Sequence, residues 1–431
     1  MTDELTTDLA RIRSLRVISR TTAMHYKGTT EPLPQIAREL RVDAVVEGSI
    51  SRSGSEIRVR AQLVRAAADE HIWANTYERK LTDAVALQAE VASDIANEIE
   101  VNLSPRERKA LASRKPVNPQ AYDAYLRGRY FFDKRTPVSD QKSISDFQQA
   151  IALDPSFAPA YAGLADAMVF RSYSGDALPA ETMPQAKSLV AKALAIDEDL
   201  PDAHVSSGWI KLTYDWDWPG AEQESKRALE LSPNSAAAHQ LYGNYLLAIG
   251  HTDAAIVELQ RSCELDPLSL FINRDLGRAL YYDRHYDDAL KQLKQTLDLD
   301  PNMGAANEWI SWSYEEKGLR DQALDAFLRA ELADGAGEDY VRAQEGFYKR
   351  SGWRAFWQHV LIQYRTRSRG SVGYLSALAY VWLGDKQKAL EVLQEQVKLR
   401  TVWVTWMNID PQLDSLRPDP QFQQMLRATG R

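Results

Sequence analysis

Hydrophobic positions fall into two textures along the 431 residues. Over the first hundred they alternate or gather in short runs, and beyond that they recur at helical spacing. In "ELTTDLARI", Leu5, Leu9 and Ile12 share one side, which predicts a short amphipathic helix. "RVIS", Arg16 to Ser19, predicts a short strand, and "PLPQIAREL" a helix opened by Pro34 that carries Ile36 and Leu40. The run from Asp43 ends at Ser53-Gly54, a two-residue turn signal, after which Ile57, Val59, Ala61 and Leu63 alternate with Arg58, Arg60 and Gln62. That alternation predicts a β-hairpin with one wet face. "EHIWANTYERKL" predicts a third strand, and "DAVALQAEVASDIANEIEVNL" a long helix with Val85, Ile95 and Ile99 in its core.

The second texture repeats. Corners of the form "LDP" recur in "ALDPSFAPAYAGLA", "AIDEDLPDAHVSSG", "ELSPNSAAAHQLYG", "ELDPLSLFINRDLG" and "DLDPNMGAANEWIS". Phased on the third residue of each corner, Glu198 to Pro233 is 35, Pro233 to Pro267 is 34 and Pro267 to Pro301 is 34, while Pro155 to Glu198 is 43 and so holds a nine-residue insertion. A period of 34 is one helix-turn-helix unit. In this phase Leu164, Ser207, Tyr242, Leu276 and Ile310 align, followed by the small residues Ala165, Gly208, Gly243, Gly277 and Ser311. Small residues there, met by Ala221, Ala255 and Ala289 on the second helix, let the two helices approach closely. The corner proline stops the second helix, because it lacks an amide donor and clashes with the preceding turn.

These residues resemble the tetratricopeptide repeat family: a slot for an aromatic or His (Tyr161, His204, His239), then Leu-Gly or Tyr-Gly, then Ala, then Pro. The likeness is fullest from about Ala121 to Pro301 and returns in "GYLSALAYVWLGDKQKALEVLQ", with one divergent unit between them that turns at Gly352. The first block is similar to the amino-terminal domain of TolB, in the version that precedes repeat arrays in bacterial winged-helix regulators, adenylate cyclases and Ser/Thr kinases. "MTDELTTDLARIRSLRVISRTTAMHYKGT", "IARELRVDAVVEGSISRSGSEIRVRAQLV", "HIWANTYERKL" and "LQAEVASDIA" carry that resemblance, and "NPQAYDAYLRGRYFFDKRT" opens the array as in those proteins. The expected fold is mainly α: a small α/β domain over 1–103, a linker over 104–118, a repeat superhelix over 119–400 and a cap over 401–431. Relatives carry a further strand and an output domain upstream; without that strand a sheet edge near Val17 is left unpaired.

Composition narrows the function. The net charge is −8, but residues 1–115 carry 18 basic and 17 acidic side chains, which leaves 34 and 43 for the rest. The array therefore repels nucleic acid, and direct DNA reading is not expected. Cys263 is the single cysteine, which excludes an internal disulfide and a thiolate metal cluster. No apolar run approaches membrane-spanning length and the first residues lack a secretion-signal layout, so the chain is expected in the cytoplasm, or outside it if it is part of a longer membrane-anchored regulator. Phosphate-binding loops, H-E-x-x-H, G-x-S-x-G and the kinase signatures are all missing. No catalytic residue, cofactor or metal site is expected: His204 and His239 fill the repeat's own slot, His71 and His285 have no partner at ligand spacing, and Cys263 falls in a core phase. The basic stretch "RERKALASRKP" reads as a solvated connector.

Repeat phase also selects the side chains that line a concave groove. They include Asp166, Trp209, Gln240, Asn244, Arg274, Arg278, Tyr281, Glu308, Trp312 and Glu315. Asn244, Arg274, Arg278, Tyr281 and Trp312 are the candidate partner-binding residues, for a peptide or partner domain. Arg274 and Arg278 lie four apart on one face. Beside Asn244 they would suit a peptide carboxylate, or they pair with Glu308 and Glu315 of the next repeat and hold the stack. The alternatives are a small-molecule sensor, with its ligand between the α/β domain and the first repeats, or the carboxy-terminal sensory part of a longer winged-helix, cyclase or kinase regulator. "YDWDWPG", Tyr214 to Gly220, has the composition of an aromatic cage for a cation. By phase, Trp218 and Pro219 open a second helix, and Trp216 falls where the repeat uses glycine, capping the adjacent repeat or offering an exposed contact.

Overall fold

The computed structural model describes residues 2–53, 56–80, 84–99, 103–105, 107, 117–367 and 371–431. Three short helices, α1 (Thr2–Ala10), α2 (Arg20–His25) and α3 (Leu33–Leu40), precede three strands, β1 (Ala44–Ser53), β2 (Glu56–Arg65) and β3 (Glu70–Lys80), and a longer helix, α4 (Ala84–Glu98). The strands form an antiparallel sheet in the order β1-β2-β3. Ile57, Val59, Ala61 and Leu63 all point into one core with Leu9, Ile12, Val91 and Ile95, as the alternation requires. Ser53 pairs with Glu56, and the turn expected at Ser53-Gly54 falls in part outside the described residues. Ile99 packs at the margin of that core; the surroundings of Val85 are likewise outside the described residues.

Residues 16–19 form no strand, contrary to the pattern. Their polar groups are spent elsewhere: Arg16 donates to the carbonyls of Leu40, at 3.0 Å, and Glu264, at 3.3 Å, and the Ser19 amide donates to Leu265 O at 2.7 Å. The segment is a strap onto the helical array rather than a sheet edge.

Helical hairpins follow in chain order. They are α5 (Pro119–Asp133) with α6 (Pro137–Leu153), α7 (Ala158–Tyr173) with α8 (Pro179–Ile196), α9 (Pro201–Ile210) with α10 (Trp218–Leu231), and α11 (Ala236–Ala248) with α12 (Thr252–Leu265). Next come α13 (Leu270–Tyr282) with α14 (Tyr286–Leu299) and α15 (Gly304–Glu316) with α16 (Arg320–Ala333). α17 (Glu338–Arg367) is one divergent hairpin, broken at Gly352 where φ is 80°, and α18 (Ser371–Leu383) pairs with α19 (Lys386–Leu399). The small residues work as their phase predicts. A Cβ on Gly277 would stand 2.6 Å from Leu293, and one on Gly243 2.8 Å from Leu259 and 3.2 Å from the Ala255 carbonyl. Ala221, Ala255 and Ala289 are fully buried against them.

The slot after four of the five corners has the same polar task, while the fifth, Asn307, donates instead to Met303 O within its own helix. Tyr161 Oη donates to Pro155 O at 3.2 Å, His204 Nε2 lies 2.9 Å from Glu198 O, His239 Nε2 3.1 Å from Pro233 O, and Asn273 Nδ2 donates to Pro267 O at 2.9 Å. Each reaches the carbonyl six residues back, an acceptor that the stopped helix leaves unpaired. The other ring nitrogen of His204 and His239 meets Glu224 and Glu258 of the second helix, both at 2.6 Å, so these histidines tie corner to hairpin. The extra residue of the 35-residue unit is absorbed by a π-turn, Lys211–Asp215, at the end of α9.

The α/β domain docks on two of these corners. Asn234 donates its amide to Ala10 O at 3.2 Å and its side chain to Ile12 O at 2.9 Å, and buried Asp266 accepts from Thr22 Oγ1 at 2.8 Å. Asn234→Ala combined with Thr22→Val is expected to raise amide exchange across residues 5–40 at least tenfold while exchange in α12 to α16 stays unchanged, read by hydrogen-exchange mass spectrometry.

Candidate functional site

The concave side of the array is occupied by the chain itself. After α19, residues 401–431 run through two 3-10 turns, Val402–Trp406 and Pro411–Leu416, into α20 (Pro420–Ala428). Sequence reading takes this stretch as a cap on the last hairpin; the structure threads it back along the groove to hairpins three, four and five. Trp406 is fully buried: its indole N–H donates to Asn244 O at 3.3 Å and the Arg278 guanidinium stands 4.2 Å over its ring. Gln412 donates to Tyr281 Oη at 2.7 Å, Asn408 to Ala248 O at 3.2 Å, and Arg284 pairs with Asp414 at 2.7 Å. Arg417 braces the segment from inside through the carbonyls of Asn408 and Asp410 and the carboxylate of Asp414.

Asn244, Arg278 and Tyr281 therefore come together as their phase requires, and they are buried under the tail. Arg274 joins them through Asp275. One Asp275 oxygen lies 2.6 Å from Arg274 and 3.4 Å from Arg278, and the other accepts from Gln240 at 2.8 Å and Asn244 at 3.1 Å. Burial alone would raise the Asp275 carboxyl, but the two guanidinium groups and two amides hold it below the ordinary value. The arginines thus share one carboxylate of their own helix and are not paired with Glu308 and Glu315, the partners expected from the next repeat.

Trp312 stands apart from this cluster, on the wall of a cavity of about 300 Å³ that Glu308, Glu331, Asp334, Tyr364 and Trp403 also line. Trp403 comes from the tail and lies 6.3 Å, ring to ring, from Trp312. Burial, with Asp334 and Glu331 nearby, pushes Glu308 up to about 8. Burial pushes Glu315 and Asp410 up to about 7 each.

The "YDWDWPG" turn meets the other end of the tail. Trp216 has φ 56°, the conformation of Gly250 one repeat later. Its indole nitrogen is buried with no hydrogen-bond partner among the described residues, so its ring is held by its face. Arg400 covers that face at 4.8 Å and the Tyr214 ring at 5.3 Å, and donates to Tyr214 O at 2.6 Å. Arg431 stands 4.2 Å over Trp218, whose N–H donates to Thr429 O at 2.9 Å. The aromatic-cage composition is answered by two arginines of the same chain. Trp218 opens α10 with Pro219 in its first turn, as phase predicts. No repeat signal marks Arg400, Trp403, Trp406, Gln412 or Arg417; the one hint is the density of tryptophan in "VWVTW".

Among the described residues, no group of His, Cys, Asp and Glu could hold a metal ion, and no helix is long and apolar enough to cross a membrane. Residues 274–339 match the tetratricopeptide repeat family model. Over 218 residues the chain is 32% identical to a protein named Putative adenylate cyclase 3 from Rhizobium meliloti (strain 1021); the match takes in 50% of this chain and 36% of that one. Similar solved structures include MamA (25% identity, 36% of this chain and 90% of that one, TM-score 0.31). YrrB, a TPR protein with an unusual peptide-binding site, matches at 21% identity over 46% of this chain and 97% of its own, with a TM-score of 0.31. A thermophilic TPR protein of Thermus thermophilus matches at 15% identity over 48% of this chain and 99% of its own, with a TM-score of 0.37.

Two outcomes follow from the buried charges. Asp275→Asn leaves two buried guanidinium groups short of their counter-ion and should cost roughly 3 kcal/mol or more, measured by chemical denaturation. Second, the folded chain holds protons on Glu308, Glu315 and Asp410 that the unfolded chain releases near the ordinary carboxyl values of 4.5 for Glu and 3.8 for Asp. More protons on the folded state mean that stability falls as pH rises, here from about 5 to about 8. His204 adds to the fall: burial disfavours its charge, but Glu224 outweighs burial and raises its pKa, a contribution lost with rising pH. Melting temperature should decline steadily across that window, and Glu308→Gln should flatten the upper part of the decline.

Proposed function

We propose, for a superhelix of tetratricopeptide repeats, that this chain is a non-enzymatic interaction module of bacterial signalling or transcriptional regulation. It takes a peptide segment or partner domain along its concave groove through Asn244, Arg274, Arg278, Tyr281 and Trp312. The observation that carries this reading is that the groove already holds a segment of chain. Residues 401–431 lie in it through a cation over an indole, an indole N–H on a backbone carbonyl, and a side-chain amide on a tyrosine hydroxyl. Repeat grooves recognise extended segments with contacts of these kinds, spread over many residues. A partner reaches the same side chains by displacing the tail, so its apparent affinity is lowered by the fraction of molecules in which the tail is docked.

The resemblance of residues 1–103 to the TolB amino-terminal domain supports the regulatory setting, as does the partial match to a protein named a putative adenylate cyclase. Under this reading the chain is the non-catalytic part of a regulator of that kind, or a freestanding scaffold with the same partners. The absence of the catalytic motifs sought in the sequence supports a binding role over an enzymatic one.

The test loosens the tail. In Trp406→Ala, with circular dichroism showing the array intact, a labelled peptide of sequence 401–417 should bind at least tenfold tighter than to the unaltered chain by fluorescence anisotropy. Adding Arg278→Gln should remove the gain. Equal binding to all three proteins would mean that the groove does not recognise segments through these residues.

A further inference from the structure

The cavity beside Trp312 is not used by the tail-binding cluster, and its chemistry differs from that of the rest of the groove. It lies between α15, the end of α16, the second half of α17 and α18, and Trp403 of the tail forms one wall. At about 300 Å³ it stands at the small end of ligand sites. Three carboxylates, Glu308, Glu331 and Asp334, line it together with the aromatic rings of Trp312, Tyr364 and Trp403. Glu331 accepts from Tyr364 Oη at 3.0 Å, whereas the carboxylates of half-buried Glu308 and exposed Asp334 have no hydrogen bond or ion pair to side chains among the described residues. Arg274, the cation nearest in effect, is already held by Asp275.

We infer that this cavity binds an organic cation, an ammonium or guanidinium group on a short apolar stem. Each competing occupant fails on the same lining. An anion meets three carboxylates, and a neutral apolar molecule covers half-buried Glu308 without giving it a partner. A bare metal ion needs converging ligands, and no such group occurs among the described residues. An organic cation gives Glu308 and Asp334 charge-assisted donors and lays its charge against the indole and phenol faces. The raised Glu308 carboxyl agrees with a site whose counter-charge comes from outside the chain. Because Trp403 belongs to the tail, a bound cation also favours the docked tail, and displacement of the tail weakens the cation by the same factor.

The inference goes beyond the groove reading and stands or falls separately, since it is tested with the tail in place. Calorimetric titration at pH 8.5 and constant ionic strength would compare N-butylguanidinium with N-butylurea, its neutral isostere, on the unaltered chain. Saturable binding of the cation with no detectable heat from the urea is expected. Glu308→Gln should weaken the cation at least tenfold while its own melting temperature at this pH equals or exceeds that of the unaltered chain. Trp312→Leu should weaken the cation about fivefold, by loss of the aromatic face. A blocked Gly-Arg-Gly peptide distinguishes sources: tighter binding than the free cation identifies a partner's side chain, weaker binding a free small molecule. No binding of either, equal binding of the urea, or an unchanged affinity in Glu308→Gln would overturn the assignment.

Discussion

A two-helix hairpin cannot cover its own apolar face, and each level of this molecule answers that constraint in turn. Within a hairpin, Gly243 against Leu259 and Gly277 against Leu293 bring the helices close. Between hairpins, the slot side chains Tyr161, His204, His239 and Asn273 tie their corner carbonyls, so the next unit starts from a fixed place. In mid-array, the corners at Asn234 and Asp266 hold Ile12 and Thr22 of the α/β domain. Stacking still leaves a concave face rich in Trp, Tyr and Arg, and the tail closes it.

The charges inside the superhelix divide along its length. Around α11 and α13 the groove holds two guanidinium groups that share Asp275, and the tail brings an indole to lie beneath one of them. From α15 onward the lining turns acidic, and burial raises the carboxyls of Glu308 and Glu315 by more than Arg274 and Arg320 lower them. The same concave surface thus offers one basic stretch braced by its own carboxylate and a second, acidic stretch. Buried carboxylates without counter-ions lower stability, and they persist where the arrangement serves another purpose.

What sequence reading captures and misses divides by the range of the contact. The period of 34, the corner prolines, the slot and the small residues encode contacts between neighbouring units, so hairpins from α5 to α16, the divergent unit at Gly352 and the opening of α10 at Trp218 were all legible. Strand alternation served equally well for β2. Arg16 to Ser19 misled because a short apolar run says nothing of what its backbone bonds to, and here the acceptor lies on a repeat corner. The tail's destination was hidden for the same reason: the Trp406 to Asn244 bond spans 162 residues and the Trp218 to Thr429 bond 211, with no periodicity to announce either. The pairing of Arg274 with Asp275 escaped because helix neighbours one apart do not share a face, yet a long side chain can fold back to its neighbour when the groove above is closed.

Trp216 carries the widest consequence. A bulky residue in the left-handed region costs on the order of 1–2 kcal/mol, and here Arg400 from the far end of the array stacks on the ring it presents. Stacked repeats ordinarily behave as a one-dimensional chain whose links loosen from either end, each felt only by its neighbours. With Arg400 on Trp216 and Arg431 on Trp218, the last unit is clasped to the third, and the chain of links becomes a loop. In such an array the middle and the far end touch directly, so a strain at either reaches the other without passing through the units between.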